Sequence, residues 1–370
     1  MIKTDDFKFS LSTPFLVCMP ALLIFISVVS AQNQNNSSIQ DMRAQIERSV
    51  DTAFVYDYDQ SKFVPESNKT LLIMGQTVEG ISDYLSAFPD EPLPAGWSAY
   101  WGVTEFTGIK ERFTNETGSS QHHQMLVDQF PNAVIHSAMW MVGNWNIARN
   151  TANGLYDKVL KKYARWAKSI KRPIYLRIGY EFDGPHNQLE PKEYLAAYKH
   201  VVDLLRKEGV NNIALVWHSY AAPTYKGYDL TAWYPGDEYV DWVAISVFGQ
   251  AYSKDSFGAD TNRVLQFAKA HKKPVMIAES RPIRGIAENN TVSWNEWFVP
   301  FFNFIYRKNI KAVCLINENW QDLNIPGIDE WKDGRLSNNK IVSRAWFEET
   351  QSDYFLKSSQ KLYEQLNFKK

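Results

Sequence analysis

The sequence predicts an α/β protein whose single domain is a (β/α)8 TIM barrel, and three observations support this prediction. Eight short runs of apolar or β-branched residues follow one another between residues 70 and 316. Helical patterns separate most of these runs, and eight strand and helix units over about 250 residues are typical of this fold. No repeat, low-complexity block or linker divides the chain after residue 40.

The predicted strands are short and bounded by turn-forming residues, as expected for strands buried on both faces. They cover residues 70–76, 97–103, 133–138, 173–179, 212–217, 240–247, 274–278 and 312–316. The clearest helix opens at Pro191 and stops at Gly209, and others cover about residues 154–171, 262–271 and 294–308. A doubly wound open sheet is the competing topology, but "MGQTVEG" at residues 74–80 is not a glycine-rich phosphate-binding turn.

The N-terminus has the pattern of an export signal. Lys3 and Lys8 precede an apolar stretch that ends in small residues at Ala31. A membrane anchor is the alternative, but the stretch is short and is interrupted by Pro14 and Pro20. We therefore expect a signal peptide over residues 1–31, a leader and N-terminal helix over 32–69, a catalytic barrel domain over 70–370, and a secreted protein.

Composition excludes some classes of partner. The net charge is −1, with 40 basic and 41 acidic residues mixed along the chain, so nothing favours nucleic acid or an acidic membrane surface. Aromatic residues make up 14% of the chain, and their flat apolar faces suit sugar rings as well as core packing. We expect a monomer with a polysaccharide or oligosaccharide substrate and no membrane contact after signal removal.

Cysteine and histidine usage gives no sign of a cofactor. Loss of Cys18 with the signal leaves Cys314 without an intrachain partner, inside an apolar run where a packed core thiol is expected. The adjacent His122 and His123 are expected in a polar loop and lack the spacing of a metal site. No metal and no other cofactor is predicted.

Two predicted strands finish on a glutamate. Glu181 follows the fourth strand in "RIGYEFDG", and Glu279 ends the seventh in "KPVMIAES". Either one alone would suggest a salt bridge or a solvated strand end. Together they would meet at the carboxyl end of the barrel, where catalytic groups lie, as the pair that retaining glycoside hydrolysis requires about 5 to 5.5 Å apart. Arg177, on the same face as Glu181, is expected to orient a carboxylate, bind substrate or form an ion pair inside the barrel.

Several motifs resemble glycoside hydrolase family 26. They are "RIGYEFDG" with the following "EPKEYLAAYKHVVDLLRKEGVNNIALVW", "IMGQ" at residues 73–76, "WYPGDEYVDWVAISVF" at 233–248, and "KPVMIAES". The resemblance spans about residues 70–320. It implies a clan A barrel with Glu181 as the acid/base and Glu279 as the nucleophile.

Three departures from the family pattern bear on the substrate. Tyr180 stands where the family's mannanases usually have histidine. Phe248 replaces the sixth-strand tyrosine that normally bonds the nucleophile, so Tyr252 is expected to supply that hydroxyl instead. The third strand reads "SAMWMVGNW" at residues 137–145 and lacks the family's Trp-His pair.

The remaining candidates are side chains suited to binding a sugar. The resemblance makes Trp320 the stacking platform for the reacting sugar, while Trp140, Trp145 and Trp217 are further platforms or core residues. Polar candidates for sugar hydroxyls are Asp183, His186 and His218, whose alternative roles are a turn for Asp183 and ordinary loop or core histidines for the others.

The predicted activity is that of a secreted, retaining endo-β-glycanase acting by double displacement on a plant or algal polysaccharide. β-1,4-Mannan, β-1,3-xylan and related β-glycans are the candidate substrates. The alternative is a secreted glycan-binding protein that kept the barrel without turnover. An aldolase or isomerase barrel would call for a lysine or metal cluster at the strand ends, which the sequence lacks.

Overall fold

A closed barrel of eight parallel strands forms the centre of the molecule. The computed structural model describes residues 38–58, 60–141, 145–222, 228–322 and 331–369. The strands are β1 Thr70–Gly75, β2 Gly96–Gly102, β3 Val134–Trp140, β4 Ile174–Ile178, β5 Ile213–Ser219, β6 Trp242–Val247, β7 Val275–Ser280 and β8 Ala312–Ile316. They pair in chain order, and β8 pairs with β1 to close the barrel. The predicted (β/α)8 fold is confirmed.

Helices surround the barrel. Those of the described residues are α1 Val78–Ala87, α2 His123–Gln129, α3 Trp145–Ala152, α4 Asp157–Ile170, α5 Pro191–Lys207, α6 Ala259–Ala270, α7 Val299–Arg307, α8 Lys340–Thr350 and α9 Leu362–Gln365. A further helix covers residues 38–44. The helix predicted from residue 294 begins as a π-helical turn, Trp294–Phe298, before α7. Between β5 and β6, the regular elements among the described residues are two 3-10 turns, Leu230–Trp233 and Asp237–Tyr239.

The barrel interior is apolar at the amino ends of the strands and polar at their carboxyl ends. Alternate residues point inward, so Tyr175, Val216 and Ala244 fill the lower half. Two residues further along each of these strands come Arg177, His218 and Ser246, all fully buried. Cys314 is buried as predicted, and burial raises its thiol pKa to about 12. The polar inward residues therefore collect at the carboxyl end of the barrel.

None of the described helices is both long and apolar enough to cross a membrane. The predicted signal peptide, residues 1–31, lies outside the described residues.

A buried glutamate on α8 binds the N-terminal segment to the barrel. The Glu349 side chain is inaccessible to solvent and accepts hydrogen bonds from Arg43 at 3.1 Å, Arg48 at 2.9 Å and the Tyr306 hydroxyl at 2.6 Å. Removing one partner of such a buried ion cluster leaves the other charges without compensation. Glu349 is therefore expected to stabilise the contact between residues 43–48 and α8.

We expect Glu349→Ala to lower the free energy of unfolding by about 3 kcal/mol, because two guanidinium groups lose their buried counter-charge. Urea denaturation measures the change. Glu348→Ala is the matched control, since its carboxylate is partly exposed and pairs with Arg344 at 3.0 Å and with Arg43 at the longer distance of 3.4 Å. That control is expected to cost less than about 1 kcal/mol; equal effects of the two variants would contradict the structural role of Glu349.

Candidate active site

A β-bulge turns Glu279 into the barrel. In the β6–β7 ladder Ile245 pairs with Ile277, but the next residue, Ser246, pairs with Glu279. The extra residue in β7 interrupts strict alternation and redirects the side chains that follow it. Glu279, which is 6% exposed, therefore faces inward beside Ser246.

Two donors hold one oxygen of Glu279. Arg177 donates from Nη1 to Oε1, and the Tyr100 hydroxyl donates to the same oxygen at 2.5 Å. Burial raises the pKa of Glu279, Arg177 lowers it, and the nearby Glu181 raises it further. The guanidinium and the hydroxyl therefore favour the ionised carboxylate in a site where burial opposes it.

The prediction that Tyr252 supplies this hydroxyl is wrong. The Tyr252 hydroxyl accepts a hydrogen bond from the Arg284 backbone N–H at 3.1 Å, and its ring lies under the Arg284 guanidinium. Tyr100, near the end of β2, occupies the position instead. Its hydroxyl also lies 2.8 Å from the side-chain amide of Gln76, the last residue of "IMGQ".

Arg177 and two tyrosines pack together beside Glu279. The guanidinium carbon of Arg177 lies 5.0 Å from the Tyr100 ring centroid and 5.5 Å from that of Tyr180. The two rings meet edge to face, with centroids 5.1 Å apart. Tyr180 is partly exposed and therefore lines the site, where a sugar can reach it.

Glu181 lies just beyond β4 in a left-handed backbone conformation, with φ at 49°. Such a conformation is uncommon for a residue with a side chain and is kept where neighbouring contacts demand it. The Glu181 carboxyl has two partners: the Ser246 hydroxyl donates to Oε1, and Nε2 of His186 lies 2.8 Å from Oε2. Glu181 is 6% exposed.

A chain of hydrogen bonds connects the two glutamates through the barrel interior. Besides bonding Glu279, Nη1 of Arg177 lies 3.5 Å from Nδ1 of His218. Nε2 of His218 lies 3.0 Å from the Ser246 hydroxyl, which in turn bonds Glu181. Ser246 is therefore both the ladder neighbour of Glu279 and a hydrogen-bond partner of Glu181.

His218 is a buried link in this chain, so of its two predicted roles the structure shows the core histidine and not the contact with sugar hydroxyls. It is fully buried, and that burial, reinforced by Arg177, holds its pKa well below 6.5. The neutral imidazole accepts from Arg177 at Nδ1, so its proton lies on Nε2 and is donated to Ser246.

Asp183 is also committed to the protein. Its carboxylate accepts hydrogen bonds from the Ser219 hydroxyl at 2.6 Å, the Tyr220 backbone N–H at 2.6 Å and the Tyr228 hydroxyl at 2.5 Å. Asp183 is 2% exposed. It joins the loop after β4 to the loop after β5, and the predicted contact with sugar hydroxyls is wrong.

The four tryptophan candidates lie in different environments. Trp217 is fully buried outside the barrel and stacks on Phe182, so of its two predicted roles the structure shows the core residue and not the platform. Trp140, at the end of β3, is 40% exposed. Trp145 begins α3, and its side chain lies outside the described residues. Trp320 follows β8 and is partly buried.

Trp320 stacks on a second tryptophan that the sequence analysis missed. The Trp331 ring lies parallel to it with centroids 4.7 Å apart, and the Arg281 guanidinium carbon lies 4.8 Å from the Trp320 centroid. Phe248 packs against Trp331 at 4.9 Å. The departure at Phe248 thus contributes an apolar ring beside the tryptophan pair.

The histidine pair of the sequence analysis lies at α2. His123 is buried rather than in a polar loop, with Nδ1 2.8 Å from the Gly108 carbonyl and Nε2 3.0 Å from the Ser137 hydroxyl. Burial lowers its pKa to about 4. Within the described part of the chain, no cluster of three or more His, Cys, Asp or Glu side chains is arranged to hold a metal ion.

Sequence and structural comparisons relate the chain to known enzymes. The pattern described as Glycosyl hydrolase family 26 matches residues 146–320, which include both glutamates. Beta-1,3-xylanase TXYA from a Vibrio species is 30% identical over 334 residues, covering 83% of this chain and 70% of the xylanase. A beta-1,3-xylanase from an Alcaligenes species is 28% identical over 334 residues, covering 83% and 68%.

Solved structures share the fold at lower identity. A GH26 beta-mannanase from Bacteroides ovatus has a TM-score of 0.57 and 16% identity, covering 80% of this chain and 93% of that one. GH26C from Muricauda sp. MAR_2010_75 has a TM-score of 0.55 and 16% identity, covering 80% and 90%. These structures show the fold, while the family match and the relative that is 30% identical lead to one conclusion: the chain belongs to glycosyl hydrolase family 26 and is a glycoside hydrolase.

Proposed function

We propose that this hydrolase is a retaining endo-β-glycanase in which Glu279 is the nucleophile and Glu181 the acid/base. The observation that carries the proposal is the hydrogen-bond chain that joins the two carboxyl groups through Arg177, His218 and Ser246. The Glu279 carboxylate is held beside the Arg177 guanidinium, which favours its ionised form. The Glu181 carboxyl has a hydrogen-bond partner on each oxygen, Ser246 and His186, and faces the same barrel interior.

In the first displacement, Glu279 attacks the anomeric carbon. Arg177 and Tyr100 both donate to Oε1, which leaves Oε2 for the new bond. Glu181 gives its proton to the departing glycosidic oxygen. The Arg177 charge supports the carboxylate before attack and again when the sugar leaves.

In the second displacement, Glu181 acts as a base. Its carboxylate takes a proton from water as the water oxygen attacks the anomeric carbon and the bond to Glu279 breaks. Both attacks take place on the same carbon from opposite faces, so the product keeps the configuration of the substrate. No reactant other than water is required.

For the substrate we propose β-1,3-xylan. Two sequence relatives, at 30% and 28% identity, are named as beta-1,3-xylanases. The departures at Tyr180 and Phe248 from the mannanase pattern support a substrate other than mannan. The exposed Trp140 and the partly buried Trp320 are proposed as sugar platforms, with Tyr180 and Arg177 beside the reacting sugar.

We also propose that the protein is secreted, because a polysaccharide substrate lies outside the cell that degrades it. Expression of the full-length gene in a bacterial host that exports proteins is expected to yield a mature chain beginning at Gln32. Intact-mass measurement of the exported protein checks this. A chain that keeps residues 1–31 and stays with the membrane fraction would instead support the anchor.

The hydrolase reaction is tested on a panel of glycans. We expect purified protein to release short oligosaccharides from β-1,3-xylan but not from galactomannan, glucomannan, mixed-linkage glucan or red-algal galactans, as resolved by chromatography. Proton NMR at early times should show the β-anomer first. An initial α-anomer would rule out retention. Binding to one glycan without cleavage would favour the glycan-binding alternative.

Glu279→Gln tests the nucleophile. The amide still accepts a hydrogen bond from Arg177 but cannot form the covalent intermediate. We expect kcat to fall by at least about 10⁴-fold. The thermal midpoint is expected to fall, because Arg177 loses its buried counter-charge, so circular dichroism at the assay temperature is used to confirm that the variant is folded. A folded variant that stays active would overturn the assignment.

Tyr100→Phe removes the hydroxyl that contacts Glu279, and Tyr252→Phe removes the hydroxyl that the sequence predicted there, so the two variants form a matched pair. A hydrogen bond to a charged group contributes about 1.5 to 3 kcal/mol, so Tyr100→Phe is expected to lower kcat/KM by roughly ten- to hundredfold. Tyr252→Phe should change kcat/KM less than about threefold. A larger loss of kcat/KM in Tyr252→Phe than in Tyr100→Phe would assign the hydrogen bond to Glu279 to Tyr252.

A further inference from the structure

An exposed histidine lies directly against the acid/base carboxyl. Nε2 of His186 is 2.8 Å from Oε2 of Glu181, and the His186 side chain is 49% exposed whereas Glu181 is 6% exposed. The sequence analysis assigned His186 to sugar hydroxyls. In the structure its ring nitrogen is instead bonded to the group that must give and take the catalytic proton.

The loop after β4 makes room for this imidazole. A Cβ atom on Gly184 would lie 2.5 Å from Cε1 of His186, so a side chain there would displace the ring. The backbone of the same loop is tied to Glu181: the Gly184 N–H and the Asn187 side-chain amide each donate to the Glu181 carbonyl at 2.8 Å. The loop therefore fixes the imidazole and the carboxyl relative to each other.

The two oxygens of Glu181 have different partners and different duties. Ser246 receives the His218 Nε2 proton, so its own hydroxyl proton points to Oε1. Oε1 is thus an acceptor, and a proton carried by the Glu181 carboxyl belongs on Oε2. Oε2 is the oxygen that His186 contacts.

We propose that His186 is a positioning residue whose imidazole shares with Oε2 of Glu181 the proton that Glu181 delivers to the leaving oxygen. This inference rests on the proposed function of Glu181. Neutral His186 accepts the Oε2 proton and holds the carboxyl in its acid form. When the proton lies on His186, the imidazolium donates to Oε2 and Glu181 is a carboxylate. Once the proton has left with the sugar, His186 is neutral and Oε2 accepts the proton of the attacking water.

The shared proton fits both chemical steps. In the first, the bond between Oε2 and its proton breaks as the departing glycosidic oxygen gains that proton. In the second, water loses a proton to Oε2 while its oxygen bonds the anomeric carbon. His186 exchanges this proton with Oε2 before the first step and again after the second. Between the two steps the proton is on the released sugar, and the proton that water gives to Oε2 replaces it, so protons balance without another reactant.

The surroundings of His186 favour its protonated form. Its hydrogen bond with Glu181 is the main cause that raises the His186 pKa above 6.5, burial opposes it, and the charges of Glu279 and Asp183 add to the rise. Tyr220, from the loop after β5, contributes an edge-to-face ring contact at 5.1 Å. These groups face His186 from the loops after β4 and β5 and from β7.

A titration that needs no turnover tests the shared proton directly. Imidazole NMR signals of the full-length mature protein are followed against pH in wild type and in Glu181→Gln. We expect the midpoint of His186 to move to lower pH in the variant, because its main stabilising partner has lost its charge. His200, paired with Asp157 at 2.6 Å on the outer helices, should not move. An unchanged His186 midpoint would overturn the proposal.

Kinetics then separate the proposed role from sugar binding. Leaving groups that are acidic phenols depart without protonation, whereas a poor leaving group requires it. With dinitrophenyl and phenyl β-glycosides of one oligosaccharide, His186→Gln is expected to lower kcat/KM on the order of tenfold for phenyl and less than about twofold for dinitrophenyl. Equal losses for both glycosides, with a raised KM, would give His186 the sugar-binding role instead. His200→Gln is the matched control.

The pH profile gives a second readout. Two groups hold a shared proton more tightly than one of them alone, so loss of His186 should move the alkaline limb of kcat/KM to lower pH. Gly184→Ala, which displaces the ring without removing it, should shift the limb in the same direction. An alkaline limb of kcat/KM that is unchanged in both variants would contradict the shared proton. If Glu279→Gln and Glu181→Gln are inactive in the same assay, the hydrolase assignment would still stand.

Discussion

A fully buried guanidinium, that of Arg177, is the charge on which the whole site depends. A cation in a barrel interior is stable only when an anion compensates it at close range, and Glu279 does so through a direct hydrogen bond. The same charge keeps His136 and His218 neutral, since it lowers the pKa of both beyond the effect of burial. Glu279, the proposed nucleophile, is therefore also a structural counter-ion, and the site is ordered before any sugar binds.

The division of the barrel into an apolar lower half and a polar upper half explains why that order is possible. Tyr175 and Val216 fill the interior below Arg177, so solvent does not reach the guanidinium from that side. Above it, the Ser246 hydroxyl is hydrogen-bonded to both His218 and Glu181 rather than to solvent. Substrate meets hydrogen-bond donors whose directions are already fixed, which limits the reorganisation needed in the transition state.

Sequence reasoning located the strands because each is a short apolar run between turn-forming residues, and it located both glutamates because a charge at the end of such a run is conspicuous. Sequence reasoning failed where the role of a residue depends on whether its side chain points into or out of the barrel. Trp217 and His218 are adjacent on β5, so only one of them can face the interior, and alternation with Val216 places His218 there. Tyr100 was missed because the bulge in β7 decides which neighbouring hydroxyl reaches Glu279, and an irregular pairing leaves little trace in a sequence.

The contact of Glu349 with Arg43 has a consequence for the order in which the molecule assembles. These residues are 306 positions apart, so the N-terminal segment cannot dock until nearly the whole chain has been made and α8 has formed. Closing so long a loop is entropically costly and comes late, after local strand and helix pairs have formed. A chain that ends before α8 would therefore lack its last helices and also the residues against which the N-terminal helix, residues 38–44, packs.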